Sequence, residues 1–195
     1  MIVYLIRHGQ TYGNRDGINQ GWGDIGLTER GIEQAKELRA FFTEKKPDRV
    51  ICSDIYRTRQ TCSIIFEGRD DIEYDARLRE INSSVFMGKT REEIIKLFGE
   101  EYIENSRRLN YAPYGGEGVE SLVSRAASFL SDLEKDTKSK TVAVVTHGGT
   151  IFAFLHRILK MPIYTPPLRI GNCSVTRLGF DDGAWAVHYI NYRIK

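Results

Sequence analysis

The sequence predicts an α/β fold, a three-layer sandwich whose mostly parallel central sheet is flanked by helices. Three short, continuous apolar runs support this prediction, because buried parallel strands are rich in branched apolar residues. They occupy residues 2–6, 48–52 and 141–146 of the 195-residue chain. Segments with a helical spacing of apolar residues lie between these runs. Such alternation of strand and helix is typical of a parallel sheet that is covered on both faces.

Three further strands are expected. Residues 174–180 and 184–190 have the composition of β-strands, and Asp181-Asp182-Gly183 between them has the composition of a turn. The short run Ile72-Glu73-Tyr74 is predicted as an additional strand. The sheet is therefore expected to be mostly, but not wholly, parallel.

Four helices are predicted around this sheet. Thr28 is suited to capping the start of the first, and the second covers residues 56–66, where no helix-breaking residue occurs. The third follows Ser121 and the fourth begins near Gly149. The apolar faces that define the first, third and fourth helices are Ile32, Ala35, Leu38 and Phe42; Leu122, Ala126, Phe129, Leu130 and Leu133; and Ile151, Phe154, Leu155 and Ile158.

Residues 88–118 interrupt the alternation of strands and helices. They contain a predicted helix, residues 91–98, followed by a polar and aromatic loop with Gly115-Gly116. We expect one domain over residues 1–195, with 88–118 as a small helical and loop insertion at the edge of the sheet, forming a lid over the active site.

The composition excludes several classes of partner. Basic and acidic residues number 28 and 26, and the net charge of +2 argues against a nucleic-acid partner or a polybasic membrane contact. The three cysteines, Cys52, Cys62 and Cys173, lack the spacing of a metal site, and no metal is expected. No segment has the length of a membrane span or the pattern of a signal peptide, so a cytoplasmic location is expected. The oligomeric state stays open, with a dimer among the alternatives.

Two arginines and two histidines lie just beyond the ends of predicted strands. Arg7 and His8 follow the first strand. Arg57 comes shortly after the second strand, and His147 follows the strand at 141–146. Because ligands bind beyond the carboxyl ends of the strands in an open parallel sheet, we expect these side chains to meet in one site.

This set of side chains suits a phosphate group. The guanidiniums of Arg7 and Arg57 match phosphate oxygens with charge-assisted hydrogen bonds, and a helix that begins at Gly148-Gly149 would add backbone N–H donors. Neighbouring cations disfavour the imidazolium form of His8, so its neutral ring is predicted to attack phosphorus. The two arginines and His147 would then stabilise the charge that develops on the phosphoryl oxygens.

The leaving alkoxide needs a proton, and Glu80 is the best candidate for the donor. Glu80 follows the short predicted strand at 72–74, and a bound anion favours the protonated form of a nearby carboxyl group. Arg77 and Arg79 stand close in sequence, so a solvated run of charges is the alternative explanation of Glu80. The other histidines, His156 and His188, are expected to be structural.

Five short motifs occur in order along nearly the whole chain. They are Arg7-His8-Gly9-Gln10-Thr11 with Asn14 and Gln20-Gly21; Leu27-Thr28-Glu29 with Gly31 and Gln34-Ala35; Ser53-Asp54 with Arg57 and Thr61; Leu78-Arg79-Glu80; and Val144-Val145-Thr146-His147-Gly148. Together they resemble the signature of the histidine phosphatase superfamily, the phosphoglycerate mutase-like proteins. The triplet Arg7-His8-Gly9 alone would be a weak indication of the family, whereas five motifs in the family's order are a specific one.

The resemblance implies roles for individual residues. It implies that His8 is phosphorylated and that Glu80 donates the proton. It implies a phosphate pocket formed by Arg7, Arg57 and His147. The remaining residues that it places near the substrate are Asn14, Gln20, Gly21 and Gly148. Asn14 and Gln20 could instead only shape the loop that contains them.

The sequence departs from the family pattern in several places, of which two concern the surroundings of the candidate acid and the insertion. After Glu80, Ser83 and Ser84 stand where family members often have an aromatic residue and a glycine. Further along, Gly118-Val119-Glu120-Ser121 resembles a Gly-Gly-Glu-Ser element with one glycine lost. These departures concern the shape of the loops and the substrate contacts rather than the acid itself.

The resemblance leaves two enzyme activities open, which differ in the acceptor of the phosphoryl group. A phosphatase admits water, whereas a mutase excludes it, and this calls for a longer insertion and a closing tail. Both segments are short here. This favours a metal-independent phosphomonoester phosphatase that acts on a small phosphorylated metabolite and uses no cofactor.

The pair Arg107-Arg108 favours the mutase instead. The resemblance implies that an arginine pair at a similar place grips the substrate carboxylate in the mutases, so this pair would imply a second anion on the substrate. A phosphoglycerate mutase would also require 2,3-bisphosphoglycerate as priming cofactor. A solvated basic pair is the simpler explanation of Arg107 and Arg108. A third, remote interpretation is a non-catalytic module that only binds phosphate.

Overall fold

The computed structural model describes residues 1–162 and 168–194, and within these ranges it has one six-stranded sheet. The strands are β1 (Ile2–Arg7), β2 (Arg49–Cys52), β3 (Glu73–Tyr74), β4 (Thr141–Thr146), β5 (Val175–Asp181) and β6 (Ala184–Tyr192). They lie in the order β3-β2-β4-β1-β5-β6. The first four are parallel, and β5 and β6 are antiparallel to their neighbours. The prediction of a mostly parallel sheet is confirmed.

Seven α-helices occur in the described part of the chain. They are α1 (Tyr12–Arg15), α2 (Glu29–Lys45), α3 (Tyr56–Ile65), α4 (Arg91–Phe98), α5 (Glu101–Arg107), α6 (Val119–Glu134) and α7 (Gly148–Leu159). The predicted cap of α2 is present, since the Thr28 side chain accepts a hydrogen bond from the Gly31 N–H. None of the helices described is long and apolar enough to cross a membrane.

Apolar clusters on both faces of the sheet build the predicted three layers. Leu5 and Ile6 are consecutive in β1 and belong to different clusters, because successive side chains of a strand point to opposite faces. The Ile6 cluster includes the apolar faces of α2 and α3. The Leu5 cluster includes those of α6 and α7. The α/β sandwich predicted from the sequence is therefore confirmed.

The segment 88–118 contains two helices where one was predicted. Helix α4 has the predicted bounds. The prediction of a loop after it is wrong for residues Glu101–Arg107, because these residues form α5. Tyr102 of α5 is buried, and its ring centroid lies 4.7 Å from that of Phe86. Packing of this aromatic ring stabilises a helix whose own sequence has little helical periodicity. The division of residues 1–195 into a single domain with a lid stays a prediction.

Candidate active site

The parallel strands β1 and β4 end side by side, and the two candidate histidines follow these ends. Arg7, the last residue of β1, pairs with Thr146, the last residue of β4. The next residues along the chain are His8 and His147, and their ring centroids are 5.3 Å apart. Both rings are buried. The register of the sheet thus brings together two residues that are 139 positions apart in the sequence.

A cavity of about 270 Å³ opens at these strand ends. Seven residues predicted as catalytic or substrate-binding line it, namely Arg7, His8, Asn14, Gln20, Gly21, Arg57 and Glu80. The lining is completed by Asn19, Ile81, Ser83, Leu109, Tyr111 and Gly149. One cavity therefore contains the candidate nucleophile, both candidate phosphate-binding arginines and the candidate acid.

The hydrogen bonds of His8 define which ring nitrogen carries the proton. Its Nδ1 lies 2.8 Å from the carbonyl oxygen of Gly9, which can only accept, so Nδ1 is protonated and donates. Its Nε2 lies 3.3 Å from Nε of Arg57, which can only donate, so Nε2 bears the lone pair. The neutral ring therefore presents Nε2 as its nucleophilic atom, on the side where Arg57 stands.

Burial is the main reason why this ring stays neutral. It lowers the pKa of His8 well below the ordinary value of 6.5, and the positive charges of Arg57 and Arg7 lower the pKa further. The sequence predicted a neutral ring for the second of these reasons alone. The desolvation of the fully buried ring is the larger effect.

Arg57 is almost fully buried, at 1% exposure, and contacts both the candidate nucleophile and the loop after α1. Its two terminal nitrogens donate to the carbonyl oxygens of Gly23 and Gly21, at 3.0 and 2.8 Å. Gly21 has a positive φ of 45°, and a Cβ there would lie 2.4 Å from the Ser83 hydroxyl oxygen, so only glycine fits this turn. Burial lowers the pKa of Arg57 to about 10, which leaves it cationic at neutral pH.

Arg7 has an unused donor. Its Nη1 donates to the carbonyl oxygen of Ile170, whereas its Nε is buried and has no hydrogen-bond partner within the described part of the chain. Gly148 packs beside this atom, because a Cβ at Gly148 would lie 3.5 Å from it. Buried polar atoms are normally hydrogen-bonded, so an unpaired guanidinium N–H at the edge of a cavity suits an oxygen of a bound anion.

His147 is held by a residue whose role the sequence did not reveal. Its Nε2 lies 2.9 Å from the hydroxyl oxygen of Ser53, which follows β2. Its Nδ1 is buried and has no partner among the residues described. Burial lowers the pKa of His147 well below 6.5, and the charge of Arg57 acts in the same direction. Ser53 therefore orients a second neutral imidazole next to His8.

The contact between Glu80 and the start of α7 was not predicted from the sequence. The N–H of Gly149 was expected to face the anion, but it donates to Oε2 of Glu80 at 3.1 Å. The second carboxylate oxygen accepts the N–H of Ile81 at 2.9 Å. Arg79 forms its ion pair with Asp54 rather than with Glu80. This arrangement contradicts the simple run of solvated charges and leaves the carboxylate facing the cavity.

The side chains of Asn14 and Gln20 accept hydrogen bonds from the loop that contains them. The hydroxyl of Thr11 donates to both, at 3.1 and 2.8 Å. A residue that the sequence did not identify, Asn172, donates to Oδ1 of Asn14 at 3.0 Å and to the carbonyl oxygens of His8 and Gly9. The amides therefore shape the loop and also line the cavity, so the two explanations left open for Asn14 and Gln20 are compatible.

The arginine pair of the insertion does not reach the cavity. Arg107 ends α5 and Arg108 follows it, and both are exposed. Arg108 forms an ion pair with Glu104 at 2.8 Å, one helical turn earlier. Two residues that follow the pair, Leu109 and Tyr111, line the cavity instead. The structure therefore does not bring Arg107 and Arg108 to this cavity, because the end of α5 directs them to the surface, and their binding of substrate stays a prediction.

The described ranges contain no group of three or more histidine, cysteine, aspartate or glutamate side chains that could hold a metal ion.

Comparison with known proteins gives the family. The sequence profile of the histidine phosphatase superfamily, branch 1, matches residues 3–193. This chain belongs to the histidine phosphatase superfamily. Membership confirms the resemblance drawn from the five motifs, and with it the expectation of an enzyme that is either a phosphatase or a phosphoglycerate mutase.

Relatives of this superfamily member have both kinds of name. An Escherichia coli O1:K1 protein named as a probable phosphoglycerate mutase is 34% identical over 191 residues, which cover 94% of this chain and 86% of the relative. An adenosylcobalamin/alpha-ribazole phosphatase of Salmonella typhi is 31% identical over 166 residues, 83% of this chain and 81% of the relative. The structure of mycobacterial glucosyl-3-phosphoglycerate phosphatase with VO3 has a TM-score of 0.86 and 28% identity, and the match covers 97% and 98% of the two chains.

Proposed function

We propose that this superfamily member is a metal-independent phosphomonoester phosphatase that acts on a small phosphorylated metabolite through phosphorylated His8. One observation carries the proposal. The unprotonated Nε2 of His8 lies next to Arg57 in the same cavity as Arg7 and Glu80. A nucleophile, two cations and an acid are the groups that such a transfer requires.

In the first step, the phosphate group of the substrate lies between Arg7 and Arg57. Nε2 of His8 attacks phosphorus, and a nitrogen–phosphorus bond forms as the bond from phosphorus to the ester oxygen breaks. The protonated carboxyl of Glu80 gives its proton to the departing oxygen, so an alcohol leaves and a carboxylate remains. Nδ1 of His147, which has no partner in the described structure, donates to a phosphoryl oxygen.

In the second step, water takes the place of the alcohol. The carboxylate of Glu80 removes a proton from this water as it attacks phosphorus, and the nitrogen–phosphorus bond breaks. Inorganic phosphate leaves, His8 regains its lone pair and Glu80 is again protonated. The cycle balances without a metal ion, an oxidant or a cofactor.

The lining of the cavity favours the phosphatase over the mutase. Apart from Arg7 and Arg57, no arginine or lysine side chain lines the part of the cavity that the structure describes. Phosphoglycerates and 2,3-bisphosphoglycerate have a second anionic group, which a mutase must hold with further cations while the substrate turns over. The pair that could have served, Arg107 and Arg108, lies on the surface. Water is therefore the proposed acceptor, and 2,3-bisphosphoglycerate is not proposed as a cofactor.

The nature of the substrate is part of the same proposal. A cavity of about 270 Å³ suits a metabolite rather than a macromolecule, so neither nucleic acid nor membrane is a proposed partner. The cytoplasmic location expected from the sequence is kept as part of this proposal. The names of the relatives supply substrates to test. α-Ribazole phosphate, which has no carboxylate, is the first candidate, and glucosyl-3-phosphoglycerate and phosphoglycerate test whether a second anionic group is accepted.

The test begins with p-nitrophenyl phosphate in the presence of a metal chelator. We expect hydrolysis that His8→Ala abolishes and that His188→Ala, at an exposed histidine, preserves. Acid-labile phosphate should be trapped on His8 from a labelled substrate. Hydrolysis that requires added metal, or phosphate trapped on another residue, contradicts the mechanism. Interconversion of 2- and 3-phosphoglycerate that depends on 2,3-bisphosphoglycerate and outpaces hydrolysis would establish the mutase instead.

A further inference from the structure

The candidate acid lies just after a short 3-10 helix, Ala76–Leu78, in a segment whose backbone is held by Arg125 of α6. The guanidinium of Arg125 donates from Nη1 to the carbonyl oxygens of Arg77 and Arg79, at 2.7 and 2.5 Å. From Nη2 it donates to the carbonyl oxygen of Glu80 at 2.9 Å. A single planar side chain thus binds three carbonyl groups within four consecutive residues.

The same guanidinium is held in place by Glu117. Nε and Nη2 of Arg125 lie 2.8 and 3.0 Å from the two carboxylate oxygens, which makes a bidentate ion pair. Both side chains are mostly buried, with 15% and 12% exposure. Burial alone would raise the pKa of Glu117, but the hydrogen bonds and charge of Arg125 outweigh it, and the pKa is lowered. Glu117 is therefore ionised in the neutral range.

Glu117 also binds the other side of the acid. Its Oε2 accepts the N–H of Asn82 at 3.1 Å, and its own backbone N–H donates to the carbonyl oxygen of Asn82 at 2.8 Å. The hydroxyl of Ser121 donates to Oε1 at 3.0 Å. Glu117 and Arg125 together contact the backbone on both sides of Glu80 and at Glu80 itself. Glu120, the glutamate of the family-like element noted in the sequence, is exposed.

We propose that Glu117 and Arg125 are positioning residues for proton transfer, an inference that rests on the proposed function. Their contacts keep the Glu80 carboxyl within reach of the leaving oxygen. Neither side chain lines the cavity, and the polar atoms of both are already engaged with each other, with Ser121 and with the backbone at 77–82, so neither is proposed to touch the substrate. The carboxyl of Glu80 is fixed by contacts with Ile81 and Gly149, and these depend on where the backbone at 80 lies. A small displacement of a catalytic group costs a large part of its effect.

This role predicts a dependence on the leaving group. p-Nitrophenolate leaves without a proton, whereas the alkoxide of glycerol 2-phosphate needs one from Glu80. The test measures kcat and KM on both substrates for Glu80→Gln, Glu117→Gln and Arg125→Lys. Glutamine at 117 keeps the size but loses the charge, and lysine at 125 keeps the charge but loses the planar fork.

We expect Glu117→Gln and Arg125→Lys to lower kcat/KM on glycerol 2-phosphate by roughly tenfold or more while changing kcat/KM on p-nitrophenyl phosphate by about twofold or less. The ratio kcat/KM reports the formation of phosphorylated His8, the step in which the leaving group departs, whereas kcat also contains the water step in which Glu80 acts as base for either substrate. The reference, Glu80→Gln, should show the same selectivity more strongly. Arg49→Lys is the matched control, because Arg49 is likewise ion-paired, with Glu73 and Asp136, but stands at the start of β2, away from the site. It should leave both rates close to those of the parent.

The outcomes separate this inference from the proposed function. If Glu80→Gln shows the selectivity but Glu117→Gln and Arg125→Lys lower both rates equally, or neither, the positioning role is overturned and the mechanism stands. If Glu80→Gln itself lacks the selectivity, the assignment of the acid fails. Circular dichroism and a thermal unfolding curve identify a variant that has lost its fold. The ratio of the two rates is then read from the other variant, which retains the remaining contacts.

Discussion

The carboxylate of Glu80 lies directly against the backbone of Gly149, whose N–H donates to Oε2 at 3.1 Å. A Cβ on residue 149 would lie 2.2 Å from Oε1, well inside van der Waals contact. Two segments that are 69 residues apart therefore meet at the first turn of α7, and a glycine makes the approach possible. This glycine accommodates the candidate acid rather than the phosphate that the sequence had suggested.

Gly149→Ala should displace the acid. The new methyl group forces the carboxylate of Glu80 away from α7, so we expect kcat/KM on glycerol 2-phosphate to fall roughly tenfold or more, with a smaller loss of kcat/KM on p-nitrophenyl phosphate. Steady-state kinetics on both substrates measure the effect. Gly148→Ala is the comparison, because its Cβ would have ordinary contact, 3.5 Å from Nε of Arg7. An equal loss in both variants would show that the Glu80 contact is not what matters.

The buried histidines should make the protein less stable in mild acid. Because the pKa values of His8 and His147 are lowered from 6.5 in the folded state, the unfolded chain binds more protons below about pH 6.5. The free energy of unfolding should therefore fall as the pH decreases from 7 to 5, by about 1.4 kcal/mol per pH unit for each histidine once the unfolded ring is protonated. Above pH 7 these two rings leave the stability unchanged. Urea unfolding at a series of pH values measures the slope.

Substitution of one histidine at a time isolates its contribution to that slope. His8→Gln and His147→Gln should each make the pH dependence shallower, because glutamine does not titrate. The exposed His188 provides the control, and His188→Gln should retain the slope of the parent protein. Parallel curves for all three variants would mean that the two buried rings are not the source of the acid sensitivity.

Much of the site could be predicted because parallel strands end at the same edge of a sheet. The apolar runs at 2–6 and 141–146 identified β1 and β4, and the residues directly after them are His8 and His147. The parallel arrangement of these strands places the residues that follow them side by side, although they are far apart in the sequence. Glu80 was found by the same reasoning applied to the short strand β3.

The contacts that were missed all depend on side chains meeting across long sequence separations. Asn172 is 164 residues from His8, and Arg125 is 45 residues from Glu80. Asn172 lies in a turn three residues before β5, and Arg125 lies on the amphipathic helix α6, so the local sequence pattern gives no sign of either contact. The sequence spacing of Glu117 and Arg125, which is eight residues or about two helical turns, was a sign that the two side chains could meet. It becomes informative only once α6 is known to pack beside residues 77–82.

Arg57→Lys should reduce both catalysis and stability. Lysine keeps a charge but cannot replace the guanidinium, which reaches His8 and the carbonyl groups of Gly21 and Gly23 at once. We expect kcat/KM on p-nitrophenyl phosphate to fall roughly 100-fold and the free energy of unfolding to fall by about 1–3 kcal/mol, because polar groups lose their donors. Kinetics and urea unfolding measure the two effects. Arg59→Lys, at an exposed arginine of the same helix, should change neither, and equal losses there would contradict the specific role.

Asn172→Asp should damage the nucleophile rather than the acid. The Nδ2 group of Asn172 donates to the carbonyl oxygens of His8 and Gly9 and to Oδ1 of Asn14, at 3.1, 3.2 and 3.0 Å. Aspartate replaces this donor with an oxygen that repels all three acceptors, so the loop that carries the nucleophile loses its anchor. We expect kcat to fall by roughly tenfold on p-nitrophenyl phosphate and on glycerol 2-phosphate alike.

The equal loss on both substrates is what separates Asn172 from Glu117 and Arg125, since attack by the nucleophile is needed whatever the leaving group. Asn191→Asp is the matched control: Asn191 uses Oδ1 to accept the N–H of Gly171 at 2.6 Å, and aspartate offers the same acceptor. Its rates should stay close to those of the parent. A selective loss on glycerol 2-phosphate in Asn172→Asp would instead connect this residue to proton transfer, and an unchanged rate would show that the loop keeps its shape without the anchor.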